Sequence, residues 1–499
     1  MSTMGSTTES TARSLGFLLL PAFLLYVDHS WLSVGATTQE LLIGFTATPD
    51  PPVSSFQPLL HNPNGTFSLG FLRNGSSQLA LAIVHVPSSE PVWLANPTRW
   101  ARWSKSTVLF FNGSLVLSDP HTGVLWSTHT DGERLLILNS GNLQIQKLDG
   151  SGSVVLWQSF DFPSDTLLEN QNFTMNVSLV SSNGLYSMRL GDDFIGLYVE
   201  FKAGLDQIYW RHRALEAKAS IVDGRPIYAR VSPNGFLGMY QTEAAPVDVQ
   251  SFNTFHRPIS GIRRLRLESD GNLRGYYWYD SKWVSDFQAI DNECELPNAC
   301  GSYGLCLPGG DCRCLDNRTE YSSGGCFPPE SGDFCKVRGE DYASATEYWV
   351  LRRAGVELPY KELMGFEKMG SLEECESSCK SNCSCWGSVF HNVSGFCYAL
   401  NYPISTLVSF GDASKIGYFK VRRIEEEKTR RGVRLADGIA LLIGTVLIFV
   451  GIAGFGTYMW MRRKELEHDI FMEEQDLSHG SYRELLRSSS FGAVELCKR

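Results

Sequence analysis

The first 293 residues contain no cysteine. Whatever folds there must be held by its hydrophobic core, because neither a disulfide nor a thiolate metal site is available to it. A basic surplus is missing too. The net charge is −10 and the pI about 5.6, which excludes a chain built to grip nucleic acid. The ten histidines are dispersed, and neither H-E-x-x-H nor G-x-S-x-G occurs. No catalytic residue, metal ligand set or cofactor is therefore expected. Asp161 and Asp165 lie close in sequence but read as turn formers rather than a catalytic pair. Gly and Pro are scattered, so no long disordered tract is indicated.

Long apolar runs are also scarce, and the two present set the topology. Arg13 precedes Leu15–Val27, which is too short to span a bilayer comfortably, and Val34-Gly-Ala36 follows with small residues suited to cleavage. Residues 1–36 read as a secretory signal peptide. The rival reading is an N-terminal anchor, since the leading segment is long and weakly charged. The second run, 438–461, has 24 residues without a charge. As a helix it would reach about 36 Å, enough for a hydrocarbon core of about 30 Å. Tyr458 and Trp460 sit where interfacial aromatics belong, and Arg462-Arg-Lys464 follows at once. Lys428, Arg430, Arg431 and Arg434 flank the other end, so the positive-inside rule is nearly tied. The signal peptide and the cysteines decide the orientation. They predict a single-pass type I protein of the plasma membrane, N-terminus extracellular, with residues 462–499 as a cytoplasmic tail.

Twelve of the thirteen cysteines lie between Cys294 and Cys397, and Cys497 lies beyond the span. An even dozen implies six disulfides formed in an oxidising compartment. A zinc reading of Cys312-x-Cys314 or Cys383-x-Cys385 fails for want of paired C-x-x-C knuckles. Cys294, Cys300, Cys306, Cys312, Cys314 and Cys326 fall within 33 residues, too few to surround a core. Sequence alone leaves their connectivity open. Further on, Ser371 with Glu374 makes a capping box. Cys375 and Cys379 then share one helix face, near Cys335, Cys383, Cys385 and Cys397. Glycosylation triplets occur at Asn64, Asn74, Asn112, Asn172, Asn176, Asn317, Asn382 and Asn392, and none falls in the tail. Asn382 abuts Cys383, which makes it the least accessible of them.

Residues 40 to 170 read as short strands punctuated by Gly, Asn, Asp and Pro turns, as a sandwich, barrel or prism requires. Phe111-Asn-Gly-Ser-Leu-Val-Leu117 and Leu138-Asn-Ser-Gly-Asn-Leu-Gln-Ile145 form a faint internal repeat. Residues 175–288 are again strand-like and rich in aromatics. Trp93, Trp126, Trp157, Tyr276, Tyr277, Trp278 and Trp283 read as core or sheet-face residues.

Five segments carry a family resemblance. They are Gly65-Thr-Phe-Ser-Leu-Gly-Phe71, Pro91-Val-Trp-Leu-Ala-Asn96, Trp157-Gln-Ser-Phe-Asp-Phe-Pro-Ser-Asp-Thr-Leu-Leu168, Ser269-Asp-Gly-Asn-Leu-Arg274 and Cys300-Gly-Ser-Tyr-Gly-Leu-Cys306. In these the chain resembles the plant S-domain (G-type, bulb-type lectin) receptor family, related to S-locus glycoproteins. The fold class this implies is mainly β, with tandem bulb-type lectin β-prism domains, a small disulfide-rich EGF-like module, an α+β PAN/apple domain and a single transmembrane helix. The implied domains are 37–170 (bulb-type lectin), 171–290 (S-locus glycoprotein domain), 291–327 (EGF-like), 335–422 (PAN/apple) and 438–461 (transmembrane). The EGF-like likeness implies pairing Cys294–Cys306, Cys300–Cys312 and Cys314–Cys326. The PAN likeness implies Cys375–Cys397, Cys379–Cys385 and Cys335–Cys383.

Two departures bear on function. Mannose-binding relatives use Q-x-D-x-N-x-V-x-Y, and here Leu138, Ser140, Asn142, Gln144 and Gln146 stand at those positions, keeping only Asn142. The other copy, Phe110, Asn112, Ser114, Val116 and Ser118, keeps only the valine. Sugar selectivity rests on paired hydrogen bonds, so Asn142 and Gln144 are the remaining carbohydrate candidates in what reads mainly as a scaffold. Most membrane-bound relatives also carry a kinase. The 38 residues 462–499 cannot hold a Gly-rich loop with its lysine, an H-R-D and a D-F-G. The expected protein is a kinase-less receptor that recognises a protein, peptide or glycan ligand. It would signal through a receptor kinase partner and form a homo- or hetero-dimer. The alternative is a cell-wall or adhesion lectin-like protein.

Overall fold

The computed structural model describes residues 39–97, 99–150, 152–202, 205–214, 226–243, 245–322, 325–327, 334–335, 348–422 and 444–464. The expected signal peptide, and the expected tail beyond Lys464, lie outside the described residues. The β-rich part up to Lys420 and the helix Gly444–Lys464 fall in two separate units.

The first domain is a three-sided prism. One side runs Glu40–Leu42, Arg134–Ile137, Leu143–Asp149, Gly152–Gln158; a second runs Gly123–Ser127, Leu115–Asp119, Val108–Phe111, Thr46–Ala47. The third contains Phe56–His61, Phe67–Asn74, Gln78–His85 and Glu90–Leu94, with Ala101–Arg102 paired to its third strand. The period of two explains the packing. In Arg134–Ile137, Leu135 and Ile137 are buried while Arg134 and Leu136 are half-exposed. Inside the prism Trp93, Trp126 and Trp157 meet edge to face, with centroids 5.9–6.0 Å apart, a geometry that aromatic quadrupoles favour. Gly141 turns the hairpin Arg134–Ile137/Leu143–Asp149 at φ +86°, where a Cβ would also lie 2.7 Å from the Leu168 side chain, so glycine is favoured there.

A second prism repeats the plan. Its sides are Thr166–Leu168, Arg263–Leu267, Leu273–Tyr279, Lys282–Gln288; Asn172–Phe173, Tyr228–Ser232, Phe236–Tyr240, Asp248–Ser251; and Leu179–Val180, Tyr186–Leu190, Phe194–Lys202, Leu205–Arg213. The expected change-over at residue 170 falls after this prism's first strand, since Thr166–Leu168 already pairs with Arg264–Arg266. Adjacent strand residues face opposite ways, so Leu167 enters the second core and Leu168 the first. Asp165 is correspondingly no turn former. It is buried and accepts from Arg266 Nη2 at 3.1 Å.

The prisms meet over a charged and aromatic seam. Arg264 Nη2 donates to Glu90 at 2.6 Å and its guanidinium lies 4.0 Å from the Trp283 ring. His85 sits in that seam, 4.8 Å from Trp278 and 5.0 Å from Trp283. Burial, aided by Arg264 and opposed by Glu90, holds its pKa down to about 4. The unfolded ring titrates near 6.5. With the folded pKa depressed, the native state loses stability as pH falls from about 6.5 toward 4, by about 1–2 kcal/mol after allowance for screening. Thermal denaturation of the full chain across that window should show the decline, and His85→Gln should flatten it. An identical slope in the variant would contradict this role.

The cysteine-rich modules interlock. The structure bonds Cys294–Cys306, Cys300–Cys312, Cys314–Cys326, Cys335–Cys383, Cys375–Cys397 and Cys379–Cys385. The hairpin Gly304–Cys306/Cys312–Cys314 continues, through a parallel pairing with Leu407–Ser409, into Val356–Glu357 of the next module. Residues 291–327 and 335–422, expected as separate modules, thus share one sheet. The physical reason is that three disulfides with so little apolar bulk cannot bury both faces of a hairpin. Cys300 N donates to Thr406 Oγ1 at 2.7 Å and the Tyr303 hydroxyl to the Lys420 carbonyl at 2.6 Å, tying the same seam.

The helix Leu372–Ser381 starts at Ser371, whose Oγ accepts from Glu374 N at 3.3 Å. The returning arm of the box goes one residue further, from Gly370 N to Glu374 Oε2 at 2.8 Å. At its other end the buried Lys420 ammonium donates to the carbonyls of Cys379 (2.7 Å) and Asn382 (2.9 Å), a cation placed where the helix dipole favours one. Separately, the apolar helix Gly444–Lys464 has 21 residues and is long enough to cross a membrane. It runs three residues past the expected end at Met461, through Arg462, Arg463 and Lys464; residues 438–443 lie outside the described set.

Candidate functional site

The inherited sugar position lies on the hairpin Arg134–Ile137/Leu143–Asp149. Leu138 to Asn142 form its turn, closed by Leu138 N to Asn142 O at 2.9 Å and Gly141 N to Leu138 O at 2.9 Å. Asn142, Gln144 and Gln146 are brought together, and all three are buried. Their amides form a directed chain. Arg134 Nε donates to Gln146 Oε1 (3.1 Å), Gln146 Nε2 to Gln144 Oε1 (2.8 Å), Gln144 Nε2 to Gln158 Oε1 (3.3 Å) and Gln158 Nε2 to Asp161 Oδ1 (2.9 Å). Asn142 Nδ2 joins at Gln158 Oε1 (2.8 Å), while its own Oδ1 accepts from Ser159 Oγ (3.4 Å) and Phe160 N (3.3 Å).

This ladder starts at a cation and ends at an anion, so each amide is polarised in the same sense. The groups that would hold sugar hydroxyls hold one another instead. Gln158 and Asp161 complete the arrangement. Sequence reasoning assigned both to the lectin-exit segment alone, and the signal that could have found them is the antiparallel register Gln144↔Gln158.

Residues 91–189 match the D-mannose binding lectin family and residues 238–318 match the S-locus glycoprotein domain. A PAN domain-containing protein of Arabidopsis thaliana is 49% identical over 486 residues, covering 97% of this chain and 97% of that protein. The chain belongs to the plant S-domain family. Among more distant S-domain relatives are two G-type lectin S-receptor-like serine/threonine-protein kinases of Arabidopsis thaliana. One is 25% identical across 86% of this chain and the other 26% across 90%. The chain spans 57% and 55% of their respective lengths.

For this S-domain protein the geometry carries a clear expectation. A mannose ligand would have to break the ladder rather than fill a vacancy, and each broken buried bond costs about 1–3 kcal/mol. A glycan array with the full chain should therefore show no mannose signal. Asn142→Ala should leave that result unchanged while costing about 1–3 kcal/mol of stability, because Phe160 N and Ser159 Oγ lose their acceptor. Millimolar mannose binding that Asn142→Ala abolishes would contradict this.

The other sequence candidates are peripheral. Asn64, Asn74, Asn112, Asn172, Asn176, Asn317 and Asn392 are all exposed. So is Asn382, expected to be the least accessible, because the helix ends there and the chain turns outward. Asn382 borders a cleft of about 520 Å³ between the second prism and the helix-bearing module, lined also by Phe201, Phe366 and Tyr402. Among the described residues no cluster of metal-ligating side chains occurs.

Proposed function

We propose that this chain is a non-catalytic receptor at the plasma membrane, with its β-rich part outside the cell, that signals through a kinase-bearing partner. The observation that carries the reading is the match of 86–90% of this chain to proteins described as receptor-like kinases. An apolar 21-residue helix C-terminal to the same β-rich domains supports single-pass insertion. The ligand is a protein, peptide or small molecule before it is a glycan, since the amide ladder occupies the sugar position. We assign association with a second copy or a kinase to the helix-bearing module, the last before the span in sequence, since confinement in a membrane raises effective concentration. Deleting residues 335–420 would not isolate such a contact, because it also removes the strand Leu407–Ser409 from the sheet of the EGF-like hairpin.

The alternative, a wall or adhesion protein, separates cleanly. In plasmolysed cells a receptor retracts with the plasma membrane. Protease applied to protoplasts should remove an epitope placed near residue 40 and spare one at residue 499. Retention in the wall, or cleavage of the C-terminal epitope on intact cells, would overturn the proposal.

A further inference from the structure

Edge strands are ordinarily blunted by charge, proline or brevity, because their free backbone groups can pair with another chain. Gly152–Gln158 is an exception. It ends one side of the first prism and pairs only with Leu143–Asp149. Its seven residues, Gly-Ser-Val-Val-Leu-Trp-Gln, carry neither charge nor proline. The other prism edges of that length or more, Leu205–Arg213 and Lys282–Gln288, both carry charges. The strand's one blunting feature is a bulge that leaves Leu156 without an opposite residue. The hairpin also runs past the core. Leu143 to Gln146 are buried, whereas Lys147 to Asp149 and Gly152 to Leu156 are exposed. Leu148, Val154, Val155 and Leu156 are 41–55% exposed, and Val154 and Val155, as strand neighbours, face opposite ways.

The direction of the free backbone groups follows from the neighbouring strand. Leu148 N donates away from the hairpin, to Glu133 Oε2 at 3.0 Å, and Gln146 O accepts from Glu133 N at 2.8 Å. Both residues thus use their backbone groups on the far side. Their opposite numbers, Ser153 and Val155, stand in non-hydrogen-bonded pairs of the ladder. The N–H and C=O groups of Ser153 and Val155 therefore point outward, two residues apart, in the spacing an added strand takes.

The charges around the strand select the occupant. Asp149 is exposed before it and Asp161 after it. Two copies of this edge paired antiparallel would bring the acidic end of each against the acidic end of the other, which is unfavourable. A segment with basic ends would instead be attracted, the more so to a chain of net charge −10. None of the four strands on this side of the prism contains a glycosylation triplet, so no sugar chain is expected on the strands themselves. We propose that this edge binds an extended peptide segment of a partner, β-branched at its centre and carrying Lys or Arg at each end, as a fifth strand of the four-stranded side. Backbone bonds to Ser153 and Val155 hold it, its side chains cover Val154 and Val155, and its ends meet Asp149 and Asp161. The inference names the ligand class of the receptor reading and rests on that reading only for its biological use.

The test is fluorescence polarisation with the full-length chain in detergent and a labelled, end-capped peptide, Arg-Arg-Thr-Val-Thr-Val-Thr-Arg-Arg. Saturable binding that weakens with added salt is expected. Ser153→Pro removes one outward N–H where an edge strand tolerates proline, and should weaken binding about fivefold or more. The same peptide N-methylated at its five central residues should not bind, and it carries the test if the proline disturbs folding. Glutamate in place of the four arginines should cost about tenfold in affinity, and Asp149→Lys should reduce that preference. Absence of binding by the arginine peptide, equal binding by its N-methylated form, or indifference to glutamate would overturn the proposal. So would sedimentation of the full chain as a dimer that Ser153→Pro converts to monomer, since a second copy would then occupy the edge. The readout involves no kinase and no signalling, so its failure would leave the receptor reading standing.

Discussion

Under reductant, residues 294–420 are expected to become protease-sensitive as one block, while residues 39–290 keep their resistance. All six disulfides lie in the first of these ranges, and removing one from a small module costs about 2–5 kcal/mol, comparable with such a module's whole stability. The shared sheet makes the loss collective. When the hairpin Gly304–Cys306/Cys312–Cys314 opens, Leu407–Ser409 loses its parallel partner, Thr406 loses the Cys300 amide and the Lys420 carbonyl loses Tyr303. The prisms contain no cysteine, and their cores are built mainly from their own residues, with Leu296 and Tyr360 of the cysteine-rich part joining the second. Limited proteolysis of the full chain over a reductant series measures this. Cleavage spread evenly over both ranges, or two separate phases within 294–420, would contradict it.

The second large effect is expected at Arg263, the bulkiest of the fully buried side chains. Arg263 Nη1 donates to Asp286 Oδ2 at 2.5 Å and Nε to the Pro233 carbonyl at 3.0 Å, with both side chains of the pair 1% exposed. Asp286 Oδ1 accepts further from Thr254 N at 2.9 Å. Breaking such a pair from one side leaves an uncompensated buried charge, a loss of about 3–5 kcal/mol. Asp286→Ala and Arg263→Met should each show a loss of that size by chemical denaturation. The double variant Arg263→Met/Asp286→Ala should lose less than the sum, because neither charge is then stranded. Additive losses, or single-variant effects below about 1 kcal/mol, would remove the pair from the account of this domain's stability.

Much of the architecture was legible because it rests on local pattern. Short apolar runs between turn residues, such as Val108–Phe111, marked strands, and Ser371 with Glu374 marked the helix start. The family likeness supplied the cysteine pairs, and the structure has the same six. What escaped depends on contacts between distant segments. Nothing in Gly304–Cys306 announces a parallel partner at Leu407–Ser409, roughly a hundred residues on. Asp165 looked like a turn residue, since its partner Arg266 is 101 positions away. The strand Thr166–Leu168 looked like the first domain's exit, because its leucines serve two cores at once. At the candidate site, the loss of sugar-binding residues was visible at Leu138, Ser140, Gln144 and Gln146. The reason the remainder is closed was not, because it requires Gln158 and Asp161 to fold back over the hairpin.

The central claim, a receptor that works through a kinase partner, is tested most directly by purifying the epitope-tagged full-length chain from plant membranes and assaying the eluate for phosphoryl transfer from labelled ATP. The account predicts kinase activity in the eluate, carried by a second polypeptide that separates from this chain under denaturing conditions. An eluate no more active than one from untagged membranes, with the tagged chain intact and present in full yield, would contradict it.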